Sequence, residues 1–205
     1  MKYLIVTAIL ALTCATPALA DVRPNLSGFT KVDASAGMDV TVTVGSGFRV
    51  EVTGPGADRV MTRVSGDTLH VEPTPGMHWG RRPPSEIRVS MPTLTGLDAS
   101  SGSDIHATGI NGGDVTLETS SGADITAAGA CRTLSAHASS GSDLDARGLR
   151  CESGSADVSS GADIILNVSG TLNVDASSGG GVTAIGDPRI GDISLSSGGS
   201  LRRSR

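Results

Sequence analysis

The chain of 205 residues carries 16 Lys or Arg and 21 Asp or Glu, which gives a formal net charge of −5. This mild acidity argues against a nucleic acid or an anionic membrane surface as the main partner, because both are polyanions. The aromatic content is also very low, with two Phe, one Tyr and one Trp. Stacking platforms for nucleic-acid bases need several aromatic rings, so the composition excludes a binding protein of that class.

Residues 1–20 are predicted to form a secretory signal peptide. A lysine precedes an apolar run over residues 3–12, and the Ala-Leu-Ala of residues 18–20 is typical of a cleavage site. A lipoprotein signal at Cys14 is the alternative, which Thr13 in the preceding position disfavours. No later segment approaches the roughly 20 apolar residues of a membrane-spanning helix. We therefore expect an exported protein, periplasmic or extracellular at the cell surface, with no transmembrane segment after cleavage.

Residues 21–98 are predicted to form an irregular, β-rich N-terminal part of a solenoid. Residues 38–44 and 48–53 both alternate apolar and polar side chains around a Gly-Ser-Gly turn, which predicts a β-hairpin. Residues 34–40 (ASAGMDV) are similar to the turns that repeat later in the chain. A separate domain that ends near Pro92 is the alternative. Further short strands are expected at residues 59–64, 68–72 and 86–91.

The segment at residues 73–84 interrupts this part of the chain with four prolines. It also carries Trp79, Arg81 and Arg82, and both residue types are over-represented at the centres of binding interfaces. These three residues are therefore candidates for a contact loop. The alternative is that Trp79 only covers one end of the solenoid.

The second half of the chain repeats one turn built on Ser-Ser-Gly. Six copies follow one another at steps of 20, 19, 20, 18 and 19 residues, beginning at Ser100, Ser120, Ser139, Ser159, Ser177 and Ser196. A fixed period of this size is typical of a solenoid, in which each rung buries its apolar face against the next. Residues 99–205 are therefore predicted to form a regular repeat solenoid that ends in a basic C-terminal tail.

Each repeat also contains the alternation of a short strand. The fifth residue after the first serine is always aliphatic, as in Ile105, Ile125, Leu144, Ile164, Val182 and Leu201. A second alternating segment precedes each turn, so one rung is expected to contain two short strands and two turns, with glycines at the corners. The predicted fold is all-β: a single-stranded parallel β-helix, or β-solenoid, with rungs of about 19–20 residues.

These features together resemble a known family. The signal peptide, a strand-rich opening with the pattern xVxVxxG, and repeated SSGSDI or SSGADI turns are similar to the head domain of autotransporter adhesins, the GIN domain family of exported bacterial proteins. The resemblance covers residues 26–201. It implies a β-helix-like fold, an exported location and an adhesin-like role, and it brings no catalytic or binding residues with it. Gly181 and Ser200 stand where the motif has Asp, so less regular final rungs are expected.

The strongest candidate for a ligand site is a column of aspartates, which we call the acidic ladder. The same position in four consecutive rungs is occupied by Asp104, Asp124, Asp143 and Asp163, which are expected to point outward. At about 5 Å, neighbouring carboxylates repel by roughly 3 kcal/mol at an effective dielectric constant of about 20. Solvent and hydrogen bonds within each Ser-Gly turn are expected to offset this repulsion, with no metal and no cofactor. The alternative is Ca²⁺ held between rungs, since carboxylates are calcium ligands.

Cys131 and Cys151 are the two cysteines left after signal cleavage, and they lie one rung apart. An exported pair at this spacing predicts a disulfide, because adjacent rungs bring Cα atoms to about 5 Å. Two buried thiols are the alternative.

No catalytic constellation is found in the sequence. The serines lack a GxSxG elbow, and the four histidines fall at different rung positions and predict no shared site. We therefore expect a non-enzymatic exported β-solenoid that serves adhesion or binding in the cell envelope. Its partner would be an envelope or surface component, a glycan or a protein. The alternative is a polysaccharide-processing β-helix enzyme, a lyase or hydrolase, which rests on analogy of fold.

Overall fold

The computed structural model describes residues 21–23, 26–45, 47–76 and 83–204. The predicted signal peptide at residues 1–20 lies outside the described residues. The N-terminal part contains strands β1 Asp21–Val22, β2 Lys31–Ser35, β3 Asp39–Val44, β4 Arg49–Thr53, β5 Val60–Ser65, β6 Thr68–Pro73 and β7 Glu86–Met91. A short 3-10 helix, Ala57–Arg59, precedes β5. The repeat part contains β8 Gly96–Ser100, β9 Asp104–Asn111, β10 Asp114–Ser120, β11 Asp124–Ser139, β12 Asp143–Val158, β13 Asp163–Val168, β14 Thr171–Ala176, β15 Gly181–Ile185, β16 Arg189–Leu195 and β17 Ser200–Arg203.

Two long sheets make up the solenoid, and each rung contributes one strand to each sheet. The first sheet holds β5, β6 and β2 together with the strands that precede the Ser-Ser-Gly turns, in the spatial order β5, β6, β2, β8, β10, β11, β12, β14, β16. The second sheet holds β1, β4, β7 and β3 together with the strands that follow the Ser-Ser-Gly turns, in the order β1, β4, β7, β3, β9, β11, β12, β13, β15, β17. Strands β11 and β12 take part in both sheets through their two halves. The predicted all-β parallel solenoid is confirmed.

The predicted hairpin between β3 and β4 is wrong. Strand β7 lies between them, parallel to β3 and antiparallel to β4. The alternation of both segments is real, because Val40, Val42, Val50 and Val52 are all buried. Alternation shows which face of a strand is buried but does not identify its neighbour. In this solenoid both edges of β3 are taken by parallel strands, β7 on one side and β9 on the other.

The first rung of the chain is not the first rung in space. Strand β2 lies between β6 and β8, and β3 lies between β7 and β9, so the chain inserts its N-terminal strand pair inside the stack. The turn between β2 and β3 has Ala36 at φ 58° and Gly37 at φ 75°, which matches the later turns. The similarity of residues 34–40 to the repeat is therefore confirmed in the backbone.

Changes in rung length are absorbed mainly at the corner opposite the Ser-Ser-Gly turn. Strands β11 and β12 run through this corner as continuous strands of 16 residues. Where the repeat spacing changes, the pairing shifts between Thr126 and Ala128 in one rung and between Ala146 and Arg150 in the next. In these two rungs the expected second turn is therefore a bent strand with bulges.

The core is a narrow space between the two sheets, filled by small and mid-sized side chains. The predicted aliphatic column is confirmed: Ile105, Ile125, Leu144, Ile164 and Val182 are buried. In the second sheet the last two rungs keep the register, since Gly181 pairs with Asp163 and with Ser200. In the first sheet the pairing of β14 with β16 shifts between Leu172 and Val174, so the irregularity expected for the final rungs is found there.

Candidate binding surface

The Ser-Ser-Gly turn has one backbone conformation in all six copies. The second serine and the glycine both adopt positive φ, as in Ser121 at 56° and Gly122 at 67°. Glycine tolerates this left-handed conformation, whereas a serine there costs roughly 1–2 kcal/mol. The conformation lets the turns stack, because the Gly102 amide donates to the Ser121 carbonyl at 3.1 Å and the Gly122 amide donates to the Ser140 carbonyl at 3.2 Å.

The residue after the turn glycine points into the core, a feature that the sequence reasoning missed. Ser103 and Ser142 are fully buried at this position, as are Ala123 and Ala162. The Ser103 hydroxyl donates to the carbonyl of Ala34 at 2.7 Å and accepts from the Ser100 amide at 3.0 Å. Only small side chains fit here, and a buried hydroxyl must find a partner of this kind.

The acidic ladder lies on the outer surface of the second sheet, as expected. The pairing places Asp104, Asp124, Asp143 and Asp163 in one column, and Asp39 is a fifth member beside Asp104. The carboxylate of Asp124 accepts a hydrogen bond from the amide of Asp143 at 3.2 Å. For Asp124 the contact therefore runs to the next rung, whereas a bond within its own turn was expected. The ladder ends where Gly181 leaves room for Asp163, since a Cβ on Gly181 would lie 2.2 Å from its Oδ1.

Two carboxyl groups of this ladder have perturbed pKa values. Burial raises the pKa of Asp104, and the carboxylates of Asp39 and Asp124 raise it further. Burial likewise raises the pKa of Asp143, with Asp124 and Asp163 adding to the effect. Within residues 21–23, 26–45, 47–76 and 83–204, no three His, Cys, Asp or Glu side chains come close enough to hold a metal ion.

A second column of charged side chains lies on the outer face of the first sheet. We call it the His–acid column, and its members in spatial order are His70, Asp33, Asp98, Glu118, His137, Asp157 and Asp175. His70 Nδ1 lies 2.8 Å from Asp33 Oδ2, and His137 Nδ1 lies 4.0 Å from Asp157 Oδ2. Two of the four histidines, His70 and His137, thus stand in one column.

Two shallow grooves follow the His–acid column. The first has a volume of about 340 Å³ and is lined by Lys31, Asp33, Thr68, His70, Asp98, Thr116 and Glu118, among others. The second, of about 350 Å³, is lined by His137, Asp157, Asn173, Asp175, Asp192 and Ser194, among others. Burial raises the pKa of Asp98 in the first groove, and the carboxylates of Asp33 and Glu118 add to the shift. This face combines hydrogen-bond acceptors, donors and open space along most of the solenoid.

Cys131 and Cys151 are register partners in adjacent rungs. Their Cα atoms are 4.5 Å apart, their side chains are buried, and their sulfurs are joined in the structure. The bulge between Thr126 and Ala128 brings them into register, because it offsets the one-residue difference in their distance from the preceding turns. That the bridge forms in the isolated protein stays a prediction.

The contact-loop candidates Trp79, Arg81 and Arg82 lie outside the described residues. His106 is described and stands on the second sheet, beside Thr41 and Thr126 of the neighbouring strands. It is therefore separated by the core from the His–acid column on the other sheet.

A comparison with known sequence families identifies the family of this chain. Residues 28–188 match the family described as "Putative auto-transporter adhesin, head GIN domain", which is most of the chain. The chain belongs to this family. The resemblance expected from the Ser-Ser-Gly turns is therefore confirmed. Among curated proteins, no significant match to the chain is found.

Solved structures share the fold of this GIN domain at low sequence identity. A "putative adhesin" from Bacteroides fragilis is 17% identical with a TM-score of 0.71, over 91% of this chain and 97% of that one. A "putative lipid binding protein" from Parabacteroides distasonis is 15% identical with a TM-score of 0.54, over 91% and 97% of the two chains. A "putative adhesin" from Parabacteroides merdae is 11% identical with a TM-score of 0.54, over 91% and 96%. These likenesses show the fold.

The described part of the chain contains no helix with the length and apolar character needed to cross a membrane.

Proposed function

We propose that this GIN domain is an exported, non-enzymatic binding module that attaches to an envelope or surface component, a glycan or a protein. The observation that carries the proposal is the His–acid column with its two grooves. The adhesin family and the adhesin descriptions of two structural neighbours support a binding role. The core supports it indirectly, because buried aliphatic and alanine side chains fill the interior and leave binding to the outer faces.

The chemistry of the column suits a hydroxyl-rich or basic ligand. Asp33, Asp98 and Glu118 follow one another on adjacent strands, which are about 4.8 Å apart. Carboxylates accept hydrogen bonds from sugar hydroxyls and form ion pairs with Lys and Arg. A repeated polymer or an extended peptide would meet a carboxylate on each successive strand. Affinity would then build up from several weak contacts along one face.

A binding screen with matched variants tests this proposal. The mature protein is screened against glycans, peptidoglycan fragments, lipid vesicles and envelope extracts, and each hit is measured by titration. The double variant Asp98→Ala and Glu118→Ala removes two acceptors from the first groove, and we expect at least a tenfold loss of affinity. The control Asp143→Asn and Asp163→Asn changes two carboxylates on the opposite sheet and should leave binding intact. Equal loss in both pairs, or loss in neither, would contradict the assigned face.

Export is part of the same proposal and has its own test. If residues 1–20 are a signal peptide, the protein recovered from the periplasm or surface of a bacterial host should begin at Asp21. The intact mass of the recovered protein identifies its N-terminal residue directly. A lipid-modified N-terminus at Cys14 would show the alternative route, and a full-length cytoplasmic product would contradict export.

One observation favours the alternative of a polysaccharide-processing enzyme. Asp98 lies in a groove between the carboxylates of Asp33 and Glu118. Burial raises the pKa of Asp98, and these two carboxylates raise it further. A raised pKa of this kind is also found in catalytic acids. Incubation with polysaccharides, followed by detection of new reducing ends or unsaturated sugars, decides between the two. Chain shortening that is lost in Asp98→Asn would support the enzyme, whereas binding without shortening supports the module.

A further inference from the structure

A serine, a histidine and an aspartate stand in line on the outer face of the first sheet. Ser135 Oγ lies 3.0 Å from His137 Nε2 on strand β11. His137 Nδ1 in turn lies 4.0 Å from Asp157 Oδ2 on β12, where the two residues are register partners. The three residues come together only because two rungs stack, so the sequence alone gives no sign of the arrangement.

The order of these contacts is that of a nucleophile, a base and a group that orients the base. In the tautomer that carries its hydrogen on Nδ1, His137 accepts a hydrogen bond from the Ser135 hydroxyl at Nε2 and turns its N–H toward Asp157. The separation of 4.0 Å is longer than a hydrogen bond, and contacts of this kind are often long before a substrate binds.

The neighbouring hydroxyls of the same row have different partners. Thr116 and Ser155 flank Ser135 on the adjacent strands. Two residues further along their strands stand Glu118 and Asp157, at the level where β11 has its histidine. The Ser135 hydroxyl therefore differs from its two neighbours in having a base within hydrogen-bond reach on its own strand.

We propose that Ser135 is an acylation site, at which a reactive carboxylic ester transfers its acyl group to the serine hydroxyl. Ser135 Oγ attacks the ester carbonyl carbon while His137 Nε2 takes the hydroxyl proton. The bond from that carbon to the leaving oxygen then breaks, and His137 returns the proton to this oxygen. The products are an ester on Ser135 and a free alcohol.

The second groove gives the acyl donor a place beside the serine. It has a volume of about 350 Å³, and His137 and Ser155 are among its lining residues. Ser155 lies one strand from Ser135, about 4.8 Å away, so its hydroxyl can donate to the developing oxyanion. A single hydroxyl stabilises an oxyanion less than the paired donors of hydrolases. We therefore expect reaction with esters that have a good leaving group.

Acetylation of the mature protein by p-nitrophenyl acetate tests the proposal. The intact mass counts the acetyl groups on each chain, and peptide mapping locates them. Hydroxylamine removes an ester from Ser135 but leaves amides on Lys31 or on the amino terminus, so it identifies the type of bond. General-base catalysis contributes about 10²–10⁴-fold, and Ser135 should therefore be acetylated at least tenfold faster than Ser155.

Matched variants on the two outer faces separate activation from mere exposure. His137→Asn removes the base and should slow acetylation of Ser135 at least tenfold. Asp157→Asn should slow it severalfold and Asp157→Glu should restore part of the rate, since Asp157 acts by positioning the ring. His106→Asn is the control, because His106 is exposed on the opposite sheet, and it should leave the rate unchanged. Equal melting temperatures would show that each variant keeps the fold.

Three results would overturn the acylation site. They are a protein without an ester on Ser135, esters spread evenly over the exposed serines, and an ester on Ser135 that forms equally fast in His137→Asn. None of them bears on the proposed binding role, which goes through other ligands and is tested with Asp98 and Glu118. Acylation of Ser135 is thus a property beyond that role, and the two can fail separately.

Discussion

The Asp124 carboxylate accepts a hydrogen bond from the backbone amide of Asp143, 3.2 Å away in the next rung. The acidic ladder thus includes a hydrogen bond between adjacent rungs, in which the backbone amide of one rung donates to the carboxylate of the other. Its neighbours Asp104 and Asp143 have raised pKa values because of burial and adjacent carboxylates. The ladder is therefore a source of pH dependence.

The first prediction is that Asp143→Asn stabilises the protein at neutral pH. The folded-state pKa of Asp143 is raised above its ordinary value of 3.8, so the folded state binds this proton more tightly than the unfolded state. The ionised carboxylate therefore destabilises the fold at pH values above the folded pKa. As pH falls through the folded pKa toward 3.8, the group becomes neutral and the penalty disappears. Melting temperatures of both proteins should differ at pH 7 and converge at acidic pH.

Asp114→Asn is the control variant, because the pKa of Asp114 is shifted in the opposite direction to that of Asp143. Hydrogen bonding to the Arg132 guanidinium lowers the pKa of Asp114, and the two side chains form an ion pair at 2.8 Å. Its stabilising contribution is present above the ordinary pKa and is lost as pH falls through the lowered one. Asp114→Asn should therefore be neutral or slightly destabilising at pH 7. A stabilising effect in both variants would mean that net charge, and not the ladder, is responsible.

The second prediction is that Ca²⁺ does not stabilise the ladder. Binding to the native state alone would raise stability with the logarithm of calcium concentration. We expect the melting temperature to be the same in EDTA and in millimolar Ca²⁺, because the carboxylates are exposed to water and Asp124 already accepts an amide bond. Asp124→Asn should be nearly neutral, since Asn keeps an acceptor and removes one repelling charge. A calcium-dependent rise that is lost in Asp124→Asn would make the ladder a metal site.

The third prediction concerns the aliphatic column. Ile125→Ala should lower the free energy of unfolding by about 2–5 kcal/mol, because it leaves a cavity in a narrow core. Ile125→Asp should prevent folding of the rungs, since it buries a charge without a partner. Thr126→Asp is the matched control, because Thr126 is exposed one residue further on. Circular dichroism and thermal melting measure all three, and an Ile125→Asp protein that melts normally would refute the stacking register.

The rungs could be predicted because their signals are local and repeated. Each Ser-Ser-Gly turn marks a corner, and the aliphatic residue five positions later marks the buried face, as for Ile105 and Ile164. The pairing of β3 with β7 could not be predicted in this way. It depends on which strand edge is free once the chain has folded, and that is a property of the stack and not of residues 38–53.

The His–acid column had a sequence signal that was overlooked. Its repeat members stand two residues before each Ser-Ser pair, as Asp98, Glu118, His137, Asp157 and Asp175. Aligning the repeats on the turn would have shown a charged or titratable side chain in five rungs. The grooves beside the column could not have been found from the sequence, because their shape depends on how the side chains of neighbouring strands are arranged in space.

The last prediction is the disulfide between Cys131 and Cys151. Mass spectrometry of the non-reduced mature protein should show a mass two hydrogens below that of the dithiol form. The bridge closes a loop over a sequence separation of 20 residues. In the chain-entropy description such a loop contributes about 3 kcal/mol, so the double variant Cys131→Ser and Cys151→Ser should melt at a lower temperature. Reduction should lower the melting temperature of the native protein and leave the double variant unchanged. Free thiols that react readily in the native protein purified under oxidising conditions would contradict the bridge and favour two reduced cysteines.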